Sequence, residues 1–200
     1  MIKAVIFDLN GVIISSPLLS ERFQEKFGIP ADEFSAVLKE IMAKLRIPEA
    51  GEAYAYWEPH LKKWGIYLNE EQFYSFCFEV EKADLEMIEI ARELKGKGLK
   101  IFILSNNFIE RTDYYKKNFP FLQELFDKIY YSWQTGFVKP DIRAYEKVLK
   151  DNNLLPAECL YFDNSKENIE IANNLGIKSF LFEGLDGFRK ALKENNLIKD

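Results

Sequence analysis

The sequence has little basic charge and no long apolar run. Its 27 Lys and Arg residues are outnumbered by 32 Asp and Glu residues, for a formal net charge of −5. Because nucleic acids bind basic surfaces, nucleic acid is not an expected partner. No apolar run approaches the roughly 18 residues of a membrane-spanning helix, and residues 1–10 lack the apolar core of a signal peptide. The sequence predicts no membrane association and a cytoplasmic location.

Cysteine and histidine are also scarce. The two cysteines, Cys77 and Cys159, lie far apart among apolar neighbours, which predicts buried free thiols in a reducing compartment. The single histidine, His60, lies in a helical region away from the strands described next, so no Ser–His–Asp or Cys–His system is expected. The glycines show neither P-loop nor dinucleotide-binding spacing. These absences exclude several common catalytic designs.

The apolar segments that are present predict the fold class. The 200 residues are 48% hydrophobic, enough for one large domain or one domain with an insertion. Five short segments rich in β-branched and aromatic residues run apolar without alternation, which is typical of strands buried on both faces. They are residues 4–7, 100–104, 128–132, 159–162 and 179–182.

Helical patterns separate these strands. Residues 85–98 close on glycines, residues 140–153 open with Pro140 in the expected first turn, and residues 165–176 open with a serine cap and close on a glycine. Strand and helix alternate, so the sequence predicts an α/β fold with a Rossmann-like parallel sheet. Residues 193–200 are expected to form a fraying tail.

One interval is too long for this alternation. About 90 residues separate the first strand from the next, whereas a strand, helix and connection need only about 30. The interval contains four stretches with apolar residues at three- and four-residue spacing. We therefore predict a helical cap over residues 15–83, inserted into a Rossmann-like core of residues 1–14 and 84–200.

Polar residues follow four of the predicted strands. Because ligands bind at the carboxyl ends of parallel strands, these residues are expected to meet at one edge of the sheet. A carboxylate, a hydroxyl, a lysine and further oxygen ligands are the parts that phosphoryl transfer needs. The residues are Asp8, Asn10 and Gly11; Ser105 and Asn106; Lys139; and Asp163 and Asn164.

Each of these residues also has an ordinary structural interpretation. The Asp8–Gly11 segment could be a simple turn, Ser105 a helix cap, Lys139 a solvated lysine and Asp163 a cap residue. Four such sites in one order, each at a strand end, favour the functional interpretation over four separate coincidences.

The motifs resemble those of the haloacid dehalogenase-like hydrolase superfamily, in the subgroup with a helical cap after the first motif. "FDLNGVI", "LSNN", "GFVKPDIRAYEKVL" and "YFDNSKENIEIANNLGI" are similar to its four motifs, and the last two also resemble sugar-phosphate phosphatases and the phosphatase domain of soluble epoxide hydrolase. The resemblance implies catalytic roles for Asp8 as nucleophile, Asn10 and Lys139, substrate binding by Gly11, Ser105 and Asn106, and Mg²⁺ binding by Asp8, Asn10, Asp163 and Asn164.

Two positions depart from that pattern. Asn10 stands where the family usually has an Asp that protonates the leaving group, and Asn164 stands where an acidic metal ligand is common. A carboxamide cannot exchange a proton near neutral pH, and lost acid–base help typically lowers the rate about 10²- to 10⁴-fold. The Mg²⁺ site is therefore expected to be weakened, although amide oxygens remain acceptable ligands.

Three functions stay open. The first is a phosphatase for a small phosphorylated metabolite, such as a sugar phosphate with a good leaving group. The second is a 2-haloacid dehalogenase, since those family members also replace the second Asp. The third is a weakly catalytic protein that binds a phosphate ligand. The sequence predicts neither the substrate nor the oligomeric state.

Overall fold

Five parallel strands form the central sheet, and a short antiparallel pair lies beside it. The structure, a computed structural model, describes residues 1–199. The strands are β1 (Ala4–Phe7), β2 (Ile14–Ser15), β3 (Lys82–Ala83), β4 (Lys100–Ser105), β5 (Lys128–Tyr131), β6 (Cys159–Asp163) and β7 (Lys178–Leu181). The five strands predicted from the apolar segments are all confirmed. The two-residue strands β2 and β3 were not predicted.

The helices divide into a group inserted between β2 and β3 and a group that flanks the sheet. The inserted helices are α1 (Leu19–Phe27), α2 (Ala31–Leu45), α3 (Ala53–Lys63) and α4 (Glu70–Phe78). The flanking helices are α5 (Leu85–Gly96), α6 (Ile109–Asn118), α7 (Phe121–Leu125), α8 (Ser132–Thr135), α9 (Ile142–Asp151), α10 (Lys166–Asn174) and α11 (Leu185–Glu194).

The strand order places β1 at the centre of the sheet. The order is β5-β4-β1-β6-β7, and β1 pairs in parallel with β4 on one side and β6 on the other. The chain therefore winds outward from β1 in both directions, which confirms the predicted Rossmann-like α/β architecture. In such sheets the crevice at the carboxyl ends of the central strands is the usual ligand site.

Apolar side chains fill both faces of the sheet. Along β1, Val5 and Phe7 face one hydrophobic cluster while Ala4 and Ile6 face another, and all four side chains are fully buried. Burial on both faces explains why these strands read as continuous apolar runs. The edge strand β7 is an exception, because it is only partly buried.

Two predicted boundaries were wrong. Helix α9 does not begin at Pro140 but two residues later, at Ile142, because the Asp141 side chain accepts a hydrogen bond from the Arg143 N–H and caps it. The predicted fraying tail is ordered through residue 198: the Leu197 N–H donates to the Leu192 carbonyl over 2.9 Å, and Leu197 packs against the core. Residue 200 lies outside the described residues.

The inserted helices share one hydrophobic cluster, which also includes Phe108 just before α6. Phe23, Phe34, Trp57 and Phe73 are buried in it, and the rings of Phe23 and Phe34 stack at 4.2 Å between centroids. Phe23 and Phe34 belong to α1 and α2, Trp57 to α3 and Phe73 to α4, so one aromatic cluster joins all four helices. The helices lie within residues 15–83, the segment assigned to the cap; the division of the chain into two domains stays a prediction.

The cysteines agree with the sequence analysis. Cys77 and Cys159 are both free and buried, and burial raises the pKa of each thiol to about 12. Such thiols are poor nucleophiles at neutral pH. Among residues 1–199, none of the helices combines the length and apolarity that a membrane crossing requires.

Candidate active site

Asp8 lies directly after β1, at the carboxyl edge of the sheet. Its backbone N–H donates to the Phe162 carbonyl over 2.8 Å, which extends the β1–β6 ladder by one step. The side chain is only 11% exposed, and its Oδ1 accepts a hydrogen bond from Lys139 Nζ at 2.8 Å. The carboxylate is thus fixed at the crevice between the central strands.

The Lys139 ammonium is buried among oxygen atoms. Its side chain is 3% exposed, and Nζ lies 2.8 Å from Asp8 Oδ1, 2.7 Å from Asp163 Oδ2 and 2.7 Å from the Leu104 carbonyl. A buried charge is tolerated only when it is paired and hydrogen-bonded. Lys139 therefore joins the ends of β1, β4 and β6, as the sequence analysis expected, and does not point into solvent.

The Asn106 side chain holds Lys139 in place. Its Nδ2 donates to the Lys139 carbonyl over 2.7 Å, and its Oδ1 accepts from the Lys139 N–H over 2.8 Å. The nitrogen and the oxygen of the carboxamide therefore both bond to the backbone of the same residue. The structure gives Asn106 a positioning contact, whereas phosphate binding by Asn106 stays a prediction.

Asp163 is the second carboxylate beside Lys139. It is fully buried, and its Oδ2 also accepts hydrogen bonds from the Tyr161 hydroxyl and from Asn168 Nδ2. Burial alone would raise the pKa of Asp163, but Lys139 and the hydrogen bonds outweigh burial and lower it. For Asp8, burial raises the pKa more than Lys139 lowers it. Both carboxylates thus lie within ion-pair distance of Lys139, at 2.8 Å for Asp8 and 2.7 Å for Asp163.

Asn10 is held from two sides. Its Nδ2 donates to the Tyr115 hydroxyl over 2.6 Å, and its Oδ1 accepts from Asn107 Nδ2 over 3.4 Å. Asn107 is itself fixed, because Ser132 Oγ exchanges hydrogen bonds of 3.1 Å with its N–H and its carbonyl. The carboxamide therefore has a defined orientation, two residues beyond Asp8.

Gly11 and Asn164 are in close contact. Gly11 has φ +87°, and a Cβ atom at this position would lie 2.2 Å from Asn164 Nδ2. The Gly11 N–H is already bonded to the Ile14 carbonyl over 2.7 Å, so it has no spare donor, and its predicted substrate-binding role stays a prediction. Asn164 Nδ2 donates to the Asn10 carbonyl over 3.2 Å.

Ser105 ends β4 with a buried hydroxyl. Its Oγ has no hydrogen-bond partner among residues 1–199, although an unsatisfied buried hydroxyl is unfavourable. This orphaned atom, one residue beyond Leu104, is available to a bound ligand. Its predicted contact with phosphate stays a prediction.

The predicted metal ligands form an oxygen-only set with few charges. Residues 1–199 contain no group of three or more His, Cys, Asp or Glu side chains arranged to hold a metal ion. The two carboxylates, Asp8 and Asp163, share Lys139, and the Asn10 carbonyl faces the Asn164 amide. Carboxylate, carbonyl and amide oxygens suit Mg²⁺, so the residues fit that ion, provided that Asn164 turns its oxygen toward it.

Several residues near the site were missed by sequence reasoning. Tyr115 contacts Asn10 from 105 positions away in the sequence, and Tyr161 lies inside the apolar segment that was assigned to a strand interior. The alternation of β6 could have indicated Tyr161, because it shares a strand face with Asp163 two residues later. No local signal marks Tyr115.

The arrangement places the Asp8 carboxylate beside a buried ammonium group. A carboxylate can attack phosphorus or an activated carbon, and a preorganised positive charge stabilises the negative charge that develops in such a reaction. The Asn10 side chain, like those of Asn106 and Asn164, is a carboxamide and cannot supply acid or base catalysis.

Comparison with known proteins gives the family. Residues 2–176 match the sequence profile described as haloacid dehalogenase-like hydrolase. A D-ribitol-5-phosphate phosphatase from Bacteroides thetaiotaomicron is 24% identical over 96% of this chain and 97% of its own length. The sesquiterpene phosphatase AstK from Aspergillus oryzae is 33% identical over 48% of each chain. The chain thus spans about half the length of that relative, and 38% of pig bifunctional epoxide hydrolase 2.

Solved structures agree on the fold. A predicted haloacid dehalogenase-like hydrolase from Porphyromonas gingivalis superimposes with a TM-score of 0.80, at 23% identity, over 100% of both chains. A family enzyme from Bacteroides thetaiotaomicron, in complex with magnesium and inorganic phosphate, superimposes with a TM-score of 0.74, at 21% identity, over 90% of this chain and 94% of its own. The chain belongs to the haloacid dehalogenase-like hydrolase family.

Proposed function

We propose that this protein is a phosphomonoesterase for a small phosphorylated metabolite. The observation that carries the proposal is the contact between Asp8 and Lys139 at the end of the central strand, 2.8 Å from carboxylate oxygen to ammonium nitrogen. The similarity over nearly the whole chain to a D-ribitol-5-phosphate phosphatase supports it. A sugar phosphate is the substrate type that this relative suggests.

The reaction follows from the chemistry of Asp8. Its carboxylate oxygen attacks phosphorus, the bond from phosphorus to the leaving alcohol breaks, and an aspartyl phosphate forms. Water then attacks phosphorus, which releases phosphate and restores the carboxylate. Lys139 offsets the charge of the transferring group in both steps.

Asn10 limits the proton transfers. It can donate a hydrogen bond to the leaving oxygen but cannot give up a proton, so the leaving alcohol must take its proton from water. Esters with good leaving groups need this help least. We therefore expect activated phosphate esters, including anomeric sugar phosphates, to be better substrates than alkyl phosphates.

A bound Mg²⁺ would neutralise phosphate charge beside Asp8. The oxygens available to hold it are those of Asp8, the Asn10 carbonyl, Asp163 and Asn164. With an amide in place of a carboxylate at Asn164, the expected affinity for Mg²⁺ is low.

Buried free thiols at Cys77 and Cys159 support our further proposal of a reducing cytoplasmic location.

The test is a panel of phosphate esters and 2-haloacids, assayed with and without Mg²⁺. We expect phosphate release that depends on Mg²⁺ and is lost in Asp8→Asn, whereas the control Asp113→Asn, at an exposed position, keeps full activity. Halide release without Mg²⁺ would replace the proposal with a dehalogenase. Phosphate binding without turnover of any ester would replace it with a phosphate-binding protein.

A further inference from the structure

A cavity of about 410 Å³ lies between the inserted helices and the start of α6. Most of its wall is apolar, from side chains of α2, α3, α4 and the residue before α6. The apolar contributors include Leu38, Met42, Trp57, Phe73 and Phe108. A volume of this size matches a small organic ligand.

Four polar atoms of residues in the cavity wall lack partners. Arg46 Nε, Tyr74 Oη, Glu81 Oε2 and Arg111 Nε are buried and form no hydrogen bond within residues 1–199, and all four residues line the cavity. Buried polar atoms are normally satisfied. Four unsatisfied atoms in one cavity wall indicate a place where a ligand supplies the missing hydrogen bonds.

The two arginines differ in their counter-charges. Arg111 Nη2 donates to Glu81 Oε1 over 2.5 Å, so this pair is neutral overall. The Arg46 guanidinium makes neither an ion pair nor a hydrogen bond to any side chain in the described part of the chain. Burial and the nearby Arg111 lower the pKa of Arg46, while Asp8 raises it. The cavity therefore contains one positive charge, that of Arg46, that is neither paired within residues 1–199 nor on an exposed side chain; the other unpaired cation in its wall, Lys39, lies at the exposed rim.

The wall of the cavity is next to the two residues that hold Asn10. Phe108, in its wall, directly follows Asn107, which donates to Asn10. The Arg111 guanidinium lies 5.6 Å from the ring of Tyr115, the other partner of Asn10. A phosphate ester attached at Asp8 would extend past Asn10 toward this cavity.

We propose that the cavity binds the organic part of the substrate and that Arg46 binds a carboxylate on it. The inference rests on the proposed phosphomonoesterase function and narrows the substrate class to phosphate esters of hydroxy acids. Guanidinium and carboxylate form two parallel hydrogen bonds, so this group would supply the counter-charge that Arg46 lacks. The apolar wall accommodates the carbon skeleton between the two anionic ends.

A pair of substrates that differ only in the carboxylate tests the proposal. Phenyl phosphate and 4-carboxyphenyl phosphate share a ring and a scissile bond. We expect wild-type kcat/KM to favour the carboxylated ester by about 10-fold or more, the effect of a charge-assisted hydrogen bond. Arg46→Gln should remove that preference, mainly through KM, and Arg46→Lys should restore part of it.

The matched control is Lys44→Gln, which removes a positive charge two residues before Arg46, at an exposed position in the last turn of α2. It should leave the preference intact. An equal loss on both esters in Arg46→Gln would mean that Arg46 contacts the transferring phosphate or only supports the fold, and no wild-type preference would mean that the cavity takes uncharged groups. Either result overturns the proposal.

A binding measurement separates this proposal from the phosphatase function. Calorimetric titration with 4-hydroxybenzoate and with phenol needs no turnover. Binding of the acid that weakens at least 10-fold in Arg46→Gln, with no such change for phenol, supports the anion site even if no ester is hydrolysed. Equal binding of both compounds to wild type would contradict it even if the enzyme is an active phosphatase.

Discussion

The Asn10 carboxamide donates a hydrogen bond to the Tyr115 hydroxyl, with 2.6 Å between nitrogen and oxygen. Tyr115 is fully buried, and burial raises its pKa well above the ordinary value. The hydroxyl is therefore a poor acid and cannot replace the carboxyl group that Asn10 lacks. Its role toward Asn10 is to fix the orientation of the amide.

Asn10→Asp should restore acid catalysis. The new carboxylate would accept a hydrogen bond from the Tyr115 hydroxyl, so it can occupy the same position. We expect kcat/KM for alkyl phosphates to rise by about 10²-fold or more, with a smaller gain for aryl phosphates, because only poor leaving groups need a proton in the transition state. Steady-state kinetics on one alkyl phosphate and one aryl phosphate measures the two gains in kcat/KM. Equal gains would place Asn10 away from the leaving oxygen.

Lys139→Met should abolish activity and weaken the fold. Without the ammonium, Asp8 and Asp163 become two buried carboxylates with no shared cation, and breaking a buried pair typically costs about 3–5 kcal/mol. Urea denaturation measures the loss. In Lys139→Met/Asp163→Asn, one of the charges is removed, so stability should recover in part while activity stays absent. Recovery of activity in the double variant would contradict the role of Lys139.

Gly11→Ala should destabilise the protein. A left-handed backbone costs about 1–2 kcal/mol for a residue with a Cβ atom, and the added atom would also displace Asn164. The control is Gly187→Ala within α11, where a Cβ meets no atom within 4 Å and alanine favours a helix. Thermal melting should give a lower melting temperature for Gly11→Ala than for wild type, and no decrease for Gly187→Ala. Equal melting temperatures would contradict the close contact.

Asp151 should make the stability depend on acid pH. Its carboxylate accepts hydrogen bonds from Lys128 at 2.8 Å and Lys147 at 2.7 Å, and these lower its pKa to about 2. Because the folded pKa lies below the unfolded one, near 4, the stabilisation is full above about pH 4 and disappears as the pH falls through about 2. Urea midpoints of wild type and Asp151→Asn should converge toward acid pH. A constant difference would contradict the prediction.

The parts of the fold that the sequence predicts are those encoded by local pattern. β1, β4 and β6 are buried on both faces, so each appears as an apolar run, and polar residues follow where the run stops. Because parallel strands place their carboxyl ends at one edge, the proximity of Asp8 and Asp163 follows from the pairing of β1 with β6. Lys139 reaches them from the loop between α8 and α9.

The parts that could not be predicted depend on contacts between distant segments. The two residues of β2 and of β3 are too few to show any periodicity. The hydrogen bonds between the Asn106 side chain and the Lys139 backbone were not predicted, because no local pattern shows which partner a side chain takes in the folded chain. Arg46 lies 65 positions from Arg111 in the sequence, yet both line one cavity in the folded chain.

The pairing of β2 with β3 has a consequence for how this chain can be rearranged. Ile14 lies opposite Ala83 and Ser15 opposite Lys82, so the chain leaves the sheet and returns to it at one place. A two-residue turn could join Ser15 to Lys82 without changing the path of any strand. The segment between Ser15 and Lys82, which carries Arg46, could thus be exchanged for another with the same spacing between its ends while Asp8 keeps its position at the end of β1.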